Sequence, residues 1–445
     1  MGCMVLNWIK ANKGYARATA GLTLYLAWLN GVALEGVLLP DRVGGGHLHL
    51  FLSVHVVALF LGPWVSPSIL SGLTRYGFCL LGLLSVSLLA VASHTAFLFM
   101  AMGVVAAPLV IHCLNTLRQV TSPMGAAAVA LILGNLVPRF LCWAPLELTW
   151  KLGCMGALLC TLGPYLSQEP LAFYPKPIDR LKAAHALDRR FWSVYLLLTV
   201  FYITGGIMHG YLAPGLAQAG DTSYVYILAY LGMVALSPPL LKRSHDASIY
   251  LAVVLGVVCF SLVAFDGLFF RRVSLFFSHA SFGVFDLLVI ALVVAPNRDI
   301  FEQYRLMGAM CGGILLGSVV VALFAEHLAI ILVVAHVVLV MTLALFSHLK
   351  VLAVVKREHA KERDASLDFL ATVVSRPFLK RVSAKERAVL THVVKGCTYK
   401  EVAQRENISE STVKTHMQRI FVKFECRNRK ELLAKLLASV EKTEC

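Results

Sequence analysis

Apolar residues dominate the first 349 positions of the chain, in runs long enough to cross a membrane as helices. A membrane-spanning helix needs about 20 mostly apolar residues, and about twelve such runs occur here. We predict spans at 17–39, 48–66, 75–93, 95–114, 122–142, 147–166, 191–213, 222–241, 248–269, 273–295, 304–325 and 328–349. The polar connection 167–190 divides them into two sets of six. The pattern therefore predicts an all-α, polytopic membrane helix bundle over residues 1–349, followed by a segment without such apolar runs.

The pattern changes after residue 349. Residues 350–381 begin with a run of charged residues, followed by an apolar series at helical spacing from Leu367 to Val374 that ends before Pro377. We predict a cytoplasmic linker helix in this segment. Its apolar face either packs on the domain that follows or associates with a second copy of itself.

Short, capped helices replace the long apolar runs in residues 382–445. Segments 383–386, 398–401 and 428–431 have the pattern of a capping box, in which an N-cap side chain and a glutamate three residues later bond each other's backbone amides. Ser409 is placed to cap a further helix. The tail is therefore predicted to be a small domain of four helices.

The third of these tail helices is predicted to be amphipathic. Its apolar residues recur every three or four positions and form one stripe, Val413, Met417, Ile420 and Phe424. The opposite side is polar and basic, with Lys414, Thr415, Gln418, Arg419 and Lys423. Two short helices joined by a tight turn form a helix-turn-helix, whose second helix reads base edges with such side chains.

Composition and charge refine this organisation. Hydrophobic residues make up 58% of the chain and charged residues 15%, which is typical of a polytopic membrane protein. The net charge is +15, and from Lys350 onward 21 Lys and Arg stand against 12 Asp and Glu. A basic tail of this kind fits double-stranded DNA or, alternatively, anionic membrane lipid.

The distribution of basic residues predicts the orientation in the membrane. With the N-terminus in the cytoplasm, the inner connections contain 14 Lys and Arg and the outer ones 4, Arg139 among them. An even number of spans returns the C-terminus to the same side. We therefore predict a multi-pass protein of the cytoplasmic (inner) membrane with both termini in the cytoplasm.

Twelve spans in two sets of six, joined by a basic cytoplasmic connection, resemble the major facilitator superfamily. The resemblance covers residues 15–349 and rests on topology. That superfamily usually has an Asp-Arg-x-Gly signature between spans two and three, whereas Ser66–Gly77 contains no aspartate. The departure weakens the interpretation as an alternating-access transporter.

The tail resembles a LuxR-type (NarL/FixJ-type) DNA-binding domain between Val382 and Leu437. The matching residues are Glu386, Arg387, Val389, Leu390, Gly396, Lys400, Glu401, Val402, Ala403, Ile408, Ser409, Thr412, Val413, Lys414, His416, Ile420, Lys423, Arg427, Glu431 and Leu432. The resemblance implies that the third helix enters the major groove, with base contacts at Lys414, Thr415 and Gln418. It implies phosphate contacts at Thr398, Lys400, Thr412, Arg419 and Lys423. It also implies a homodimer face on the fourth helix at Leu433, Leu436 and Leu437.

Two positions depart from the LuxR-type pattern. Tyr399 stands where the family usually has asparagine, and Glu425 stands where it usually has glycine, between helices three and four. Because a non-glycine residue is strained in a left-handed turn, the start of the fourth helix is the part of the domain that this departure affects most.

Two acidic residues in the predicted spans, Glu35 and Asp286, are candidates for contact with an unknown small-molecule ligand. An ionisable side chain at the bilayer centre costs about 2.5–3.5 kcal/mol on insertion scales, so each needs a reason to be there. The alternative for both is a hydrogen-bonded pair inside the bundle. No metal-ligand spacing, nucleophile elbow, P-loop or dinucleotide motif occurs, so we expect no metal, no cofactor and no enzyme.

These features together favour a membrane-bound, DNA-binding transcriptional regulator of bacterial type. In this interpretation a sensor-like domain, 1–349, responds to a small molecule and a DNA-binding domain, 382–445, gives the output. One alternative is a major-facilitator-like transporter with a regulatory tail. Another is a tether whose tail binds DNA or lipid by charge alone.

Overall fold

The computed structural model describes residues 2–39, 47–90, 94–166, 189–212, 226–265, 267–295, 298–349, 382–394, 397–428 and 431–432. All regular secondary structure in these ranges is helical. The chain divides into two compact units near residue 352, a membrane unit and a tail unit, and each is described by itself.

The membrane unit contains twelve α-helices within the described ranges. They are α1 Gly2–Trp28, α2 His47–Leu61, α3 Pro67–Ala90, α4 Thr95–Arg118, α5 Pro123–Trp143, α6 Leu148–Leu166, α7 Arg189–Ile207, α8 Ile227–Arg243, α9 His245–Val263, α10 Leu268–Val293, α11 Ile300–Phe324 and α12 Leu328–Leu349. Among the described residues, eight helices are both long and apolar enough to cross a membrane. The prediction of an all-α, polytopic bundle with six helices on each side of the central connection is confirmed.

The two halves of the membrane unit repeat one pattern of helix pairing. In the first half α2 packs on α4, and α3 packs on both α4 and α6. In the second half α8 packs on α10, and α9 packs on both α10 and α12, which are the same pairs six helices later. The halves meet where α2 packs on α11 and where α5 packs on α8 and α10.

One predicted span and one charge assignment are wrong. Helix α3 begins at Pro67, so the connection before it is short and Arg75 lies inside a helix. Arg139, which the charge count assigned to an outer connection, lies within α5 with its side chain 3% exposed. An arginine can be buried inside a membrane bundle only where the bundle supplies a partner for it.

Helices α7 and α11 pack with their backbones in close contact. A Cβ atom added at Gly317 of α11 would overlap the carbonyl oxygen of Ile203, and one added at Gly206 of α7 would overlap that of Ile314. Small residues at such a crossing let two helices approach closely in a membrane. Gly312, also on α11, has open space around its Cβ direction.

The tail unit has three helices in the part of the chain that the structure describes. They are α13 Ala384–Val394, α14 Tyr399–Glu406 and α15 Glu410–Lys423. Their buried core consists mainly of branched aliphatic residues, among them Val389, Leu390, Val402, Val413 and Ile420. The predicted linker helix and most of the fourth tail helix lie outside the described residues.

The close crossing of α7 and α11 predicts opposite outcomes for two glycine substitutions on one helix. Gly317→Ala should destabilise the membrane unit by about 1–3 kcal/mol, because the new methyl group forces the helices apart. Gly312→Ala should be neutral or slightly stabilising, because alanine favours helix by about 1 kcal/mol over glycine. Thermal unfolding of both variants in the same detergent measures the difference, and equal midpoints would contradict the close packing.

Candidate nucleic-acid interface and membrane cavity

The start of α13 is fixed by a capping box that includes a buried carboxylate. The amide of Ser383 donates to Glu386 Oε2 at 2.8 Å, and the amide of Glu386 donates to Ser383 Oγ at 3.3 Å. Glu386 is 3% exposed. The predicted cap is confirmed. Glu386 also places a negative charge inside the domain.

Helices α14 and α15 form a helix-turn-helix. A capping box between Thr398 and Glu401 starts α14, and Asn407 ends it in the left-handed conformation with φ +52°. A turn of three residues leads to α15. At its start the amide of Thr412 donates to Ser409 Oγ at 3.1 Å. Asparagine tolerates the left-handed region better than most residues do, which explains this short turn.

One side of α15 is buried and the other faces solvent. Val413, Met417 and Ile420 are fully covered, as the apolar stripe predicted. On the other side of α15, Thr412 is half-buried and the remaining proposed contact residues are exposed: Lys414, Thr415, Gln418, Arg419 and Lys423. The proposed contacts at the start of α14, Thr398 and Lys400, are exposed as well. These side chains are accessible to a partner that lies along α15.

Two of the residues predicted to read bases are held by bonds within α15. Lys414 Nζ lies 3.1 Å from Glu410 Oε1, one turn earlier, and both side chains are about half exposed. Thr415 Oγ1 donates to the carbonyl of Ser411 at 3.0 Å. The Lys414 pair is weak because water screens it, so a base edge can replace it at low cost.

Val422 is a feature of this side that the sequence analysis missed. It is 78% exposed and follows Gln418 by one turn of the same helix. The signal was available, because an aliphatic residue at this spacing interrupts an otherwise polar and basic side.

Lys423 differs from the other predicted phosphate contacts, because it forms an ion pair with the buried Glu386. This pair joins the start of α13 to the end of α15. The Lys423 ammonium and the donors of Ser383 hold the pKa of Glu386 at about 2, below its ordinary value, against the opposite effect of burial. The contact of Lys423 with phosphate stays a prediction. The ion pair with Glu386 gives Lys423 a structural function as well.

Glu425, the departure from the LuxR-type pattern, adopts the left-handed conformation with φ +53°. The expected strain at this position is therefore present. The turn is followed by the third predicted box, in which Glu431 accepts from the Arg427 amide at 2.8 Å and donates its own amide to Asn428 Oδ1 at 3.0 Å. The predicted dimer residues Leu433, Leu436 and Leu437 lie outside the described residues.

A cavity of about 160 Å³ lies within the membrane unit, between its two halves. Helices α1, α2, α4 and α5 line it from the first half, and α7, α8, α10 and α11 line it from the second. Two π-helical segments, Leu29–Leu34 after α1 and Met208–Leu212 after α7, occupy equivalent positions in the halves and contribute lining residues. Single π turns inside helices occur frequently at functional sites.

Both predicted ligand residues line this cavity, and each has a partner. Glu35 Oε2 accepts from Arg139 Nη2 at 2.7 Å. Asp286 accepts from Tyr202 Oη at 2.6 Å and from Tyr230 Oη at 2.8 Å. The structure thus combines the two predicted alternatives, since each carboxylate is bonded inside the bundle and also borders the cavity.

The Glu386–Lys423 pair predicts that a single substitution destabilises the tail unit. Lys423→Met should cost about 2 kcal/mol, because it leaves a buried carboxylate without its cation. Lys414→Met removes only an exposed pair and should cost less than about 1 kcal/mol. Hydrogen exchange of the α13 and α15 amides in the full chain measures both, and adding Glu386→Gln to Lys423→Met should restore part of the protection. Equal losses in the two lysine variants would contradict the structural function of Lys423.

The strained turn after α15 predicts a stabilising substitution. Glu425→Gly should raise the stability of the tail unit by about 1 kcal/mol, because glycine has no Cβ to oppose a positive φ. Asn407→Gly is the matched control at the other left-handed residue and should gain less. The same exchange measurement compares the two variants, and a larger gain at position 407 would contradict the interpretation.

The tail unit is similar to a known family of DNA-binding regulators. Residues 380–436 match the family described as "Bacterial regulatory proteins, luxR family". The "Monoamine regulon transcriptional regulator" of Klebsiella aerogenes is 44% identical over 54 residues, which are 12% of this chain and 24% of that protein. The chain therefore spans about a quarter of the length of this relative.

The membrane unit is similar in fold to solved transporters. A bacterial homologue of the iron transporter ferroportin in its outward-facing state matches with a TM-score of 0.58 and 12% identity, over 76% of this chain and 99% of that one. The E. coli fucose:proton symporter matches with a TM-score of 0.51 and 11% identity, over 76% and 97%. Nucleoside transporter NupG matches with a TM-score of 0.50 and 11% identity, over 75% and 100%. At these identities the likeness concerns fold alone. The chain therefore joins a luxR-family helix-turn-helix domain to a polytopic membrane unit with the fold of major-facilitator-like transporters.

Proposed function

We propose that this chain is a membrane-bound transcriptional regulator whose tail binds specific double-stranded DNA and whose membrane unit senses a small molecule. The observation that supports it best is the exposed polar side of α15, in a luxR-family domain on the same chain as a polytopic membrane unit. The proposed domains are a sensor, 1–349, a cytoplasmic linker helix, 350–381, and a DNA-binding domain, 382–445. The protein is not an enzyme in this proposal.

In the proposed complex, α15 lies in the major groove. Lys414, Thr415 and Gln418 read base edges, and their position near the start of α15 and their exposure support this assignment. Phosphate contacts come from Thr398, Lys400, Thr412, Arg419 and Lys423. Val422 makes an apolar contact with DNA, for which the methyl group of a thymine base is a suitable partner.

The DNA-bound form is proposed to be a homodimer. The LuxR-type resemblance supports a dimer face at Leu433, Leu436 and Leu437, and two tail domains then bind two half-sites of one operator. The capped start of this helix at Asn428 is consistent with the assignment. The protein is proposed to lie in the cytoplasmic membrane with both termini in the cytoplasm, which the excess of basic residues in the inner connections supports.

The signal is proposed to pass through the angle between the two halves of the membrane unit. A ligand in the cavity touches both halves, so it shifts their equilibrium only if it binds one arrangement better than the other. At one end of the unit the halves are joined by a hydrogen bond from Arg118 Nη1 to the carbonyl of Arg298 at 2.9 Å, and by Trp64 packed edge-on against Phe301. By the alternation of the helices, this end is the one at which α12 finishes and the linker begins.

A transporter with a regulatory tail is the second candidate, because the fold of the membrane unit supports it. It is not favoured, because transport alone does not explain a helix such as α15, whose exposed side is suited to contact bases. Uptake assays in vesicles with the purified chain, together with transcript profiles of a deletion strain, distinguish the two candidates. Uptake without any change in transcription would favour the transporter.

The proposed reading of bases predicts a position-specific effect of Lys414→Ala. Binding of the full chain in nanodiscs to a selected operator should weaken by about 1–3 kcal/mol, and the preference should relax at one base position, because a base contact is lost. Lys400→Ala, at a proposed phosphate contact, should weaken binding to all sequences alike and reduce the salt dependence. Fluorescence anisotropy on a set of operator variants measures both effects. If Lys414→Ala weakens binding to all sequences equally, that lysine contacts the DNA backbone and not a base. If the unmodified chain shows no sequence preference, the tail is a non-specific tether.

A further inference from the structure

The cavity of the membrane unit has one carboxylate whose charge the described residues do not balance. Glu35 is neutralised by Arg139, which is buried beside it. Asp286 has no Lys or Arg within ion-pair distance among the described residues and is bonded only by two tyrosine hydroxyls. Hydroxyl donors stabilise a carboxylate but leave its negative charge in place.

Asp286 is also open to the cavity. The residues on either side of it, Phe285 and Leu287, are completely covered, while Asp286 keeps accessible surface within the bundle and lines the cavity. Its two donors are both largely buried, with Tyr202 3% and Tyr230 6% exposed. The carboxylate is therefore held in one orientation and presents its free surface to whatever occupies the space.

Three histidines line the cavity, and two of them, His55 and His279, are bonded in a way that suits the neutral form. His55 Nδ1 lies 3.0 Å from the carbonyl of Gly103, and His279 Nδ1 lies 2.9 Å from the carbonyl of Leu275. Each Nδ1 therefore bears its proton, and the tautomer of the neutral ring is fixed. Neither bond requires a charged imidazole, so neither histidine has to serve as the counter-ion of Asp286.

Most of the remaining lining is apolar and aromatic, and its polar members are Asn30, Asn135 and His209. Tyr202 and Phe282 have ring centroids 5.8 Å apart beside the carboxylate, and Met307, Met310 and Ile314 face them from α11. Aromatic faces attract cations, and methionine adapts to the shape of an apolar ligand. A cavity of roughly 150 Å³ is large enough to hold a benzene ring. Size, apolar lining and one unbalanced carboxylate thus select for one kind of molecule.

We propose that this cavity binds a small hydrophobic organic cation, of about the size of a single-ring amine, with its ammonium group against Asp286. Tyr202 and Tyr230 hold the carboxylate in place through their hydroxyls, and the apolar side of the cavity takes the hydrocarbon part. The step from binding to regulation rests on the proposed function, whereas the binding itself does not.

Three probes of matched shape and different charge test this assignment on the full chain in nanodiscs. The probes are phenethylamine, which is cationic at neutral pH, 2-phenylethanol, which is neutral, and phenylacetate, which is anionic. Thermal unfolding and isothermal titration should give binding of phenethylamine at least about tenfold tighter than 2-phenylethanol, a difference of about 1.4 kcal/mol, and no binding of phenylacetate. Equal affinity for the cation and the alcohol, which is the result if Asp286 holds only a proton, would overturn the proposal, as would binding of none of the probes.

Variants of the cavity separate charge from packing. Asp286→Asn keeps the shape and should lose the preference for phenethylamine over the alcohol. Met310→Leu changes the lining without changing charge and should keep that preference. The comparison of the three probes on the unmodified chain tests the assignment by itself if Asp286→Asn fails to fold. Retention of the preference in Asp286→Asn, or its loss in Met310→Leu, would contradict the assignment.

Operator binding measured in the presence of phenethylamine keeps the two proposals apart. If the probe binds but operator affinity is unchanged, the ligand assignment stands and the sensing function fails. If the chain binds its operator specifically but no probe enters the cavity, the regulator stands and the ligand assignment fails.

Discussion

A bilayer offers no hydrogen-bond partners, so every polar group inside the membrane unit has to be satisfied by the protein. This constraint explains why the described part of the unit is built from helices and why its buried arginines, Arg139 and Arg298, occur with carboxylate partners. Arg139 is acceptable within α5 because Glu35 lies 2.7 Å away, and Glu35 is acceptable at the end of the π segment after α1 because Arg139 is there. Removing either partner would leave an uncompensated charge, so the pair ties α1 to α5 within the first half.

The same constraint makes Asp286 informative. Two tyrosines from α7 and α8 each donate one hydrogen bond to it, yet its charge remains and its surface borders the cavity. Keeping such a group in a membrane is costly, and a ligand that supplies the missing positive charge recovers part of that cost on binding. The bonds that hold Asp286 all come from helices of the second half, and the carboxylate borders the cavity that both halves line.

The tail unit obeys a different constraint, because a small core needs help from local interactions. Capping boxes at Ser383 and Thr398 and the side-chain cap of Ser409 satisfy helix starts, so the aliphatic core needs to supply less. The Glu386–Lys423 pair then joins two of the helices across 37 positions of sequence. Since the apolar stripe of α15 is committed to this core, its opposite side is left free for a partner.

Local patterns predicted most of this architecture. Hydropathy located the twelve helices, capping residues located the starts of the tail helices, and the missing glycine at Glu425 marked the strained turn. Partners that depend on tertiary packing were not predictable in this way. The bond between Arg139 and Glu35 joins residues 104 positions apart, and the bonds to Asp286 come from residues 84 and 56 positions away. A carboxylate in an apolar run signals that a partner exists, but only the packing of the helices identifies it.

We propose that this protein binds chosen sites on DNA through α15 while it is embedded in the membrane. Chromatin immunoprecipitation of the full-length chain from intact cells tests this most directly, with the Lys414→Ala, Gln418→Ala double variant as the control. We expect a small number of discrete sites with two related half-sites, recovered with the unmodified chain and lost with the variant. Uniform recovery of DNA, or the same sites with both proteins, would contradict it.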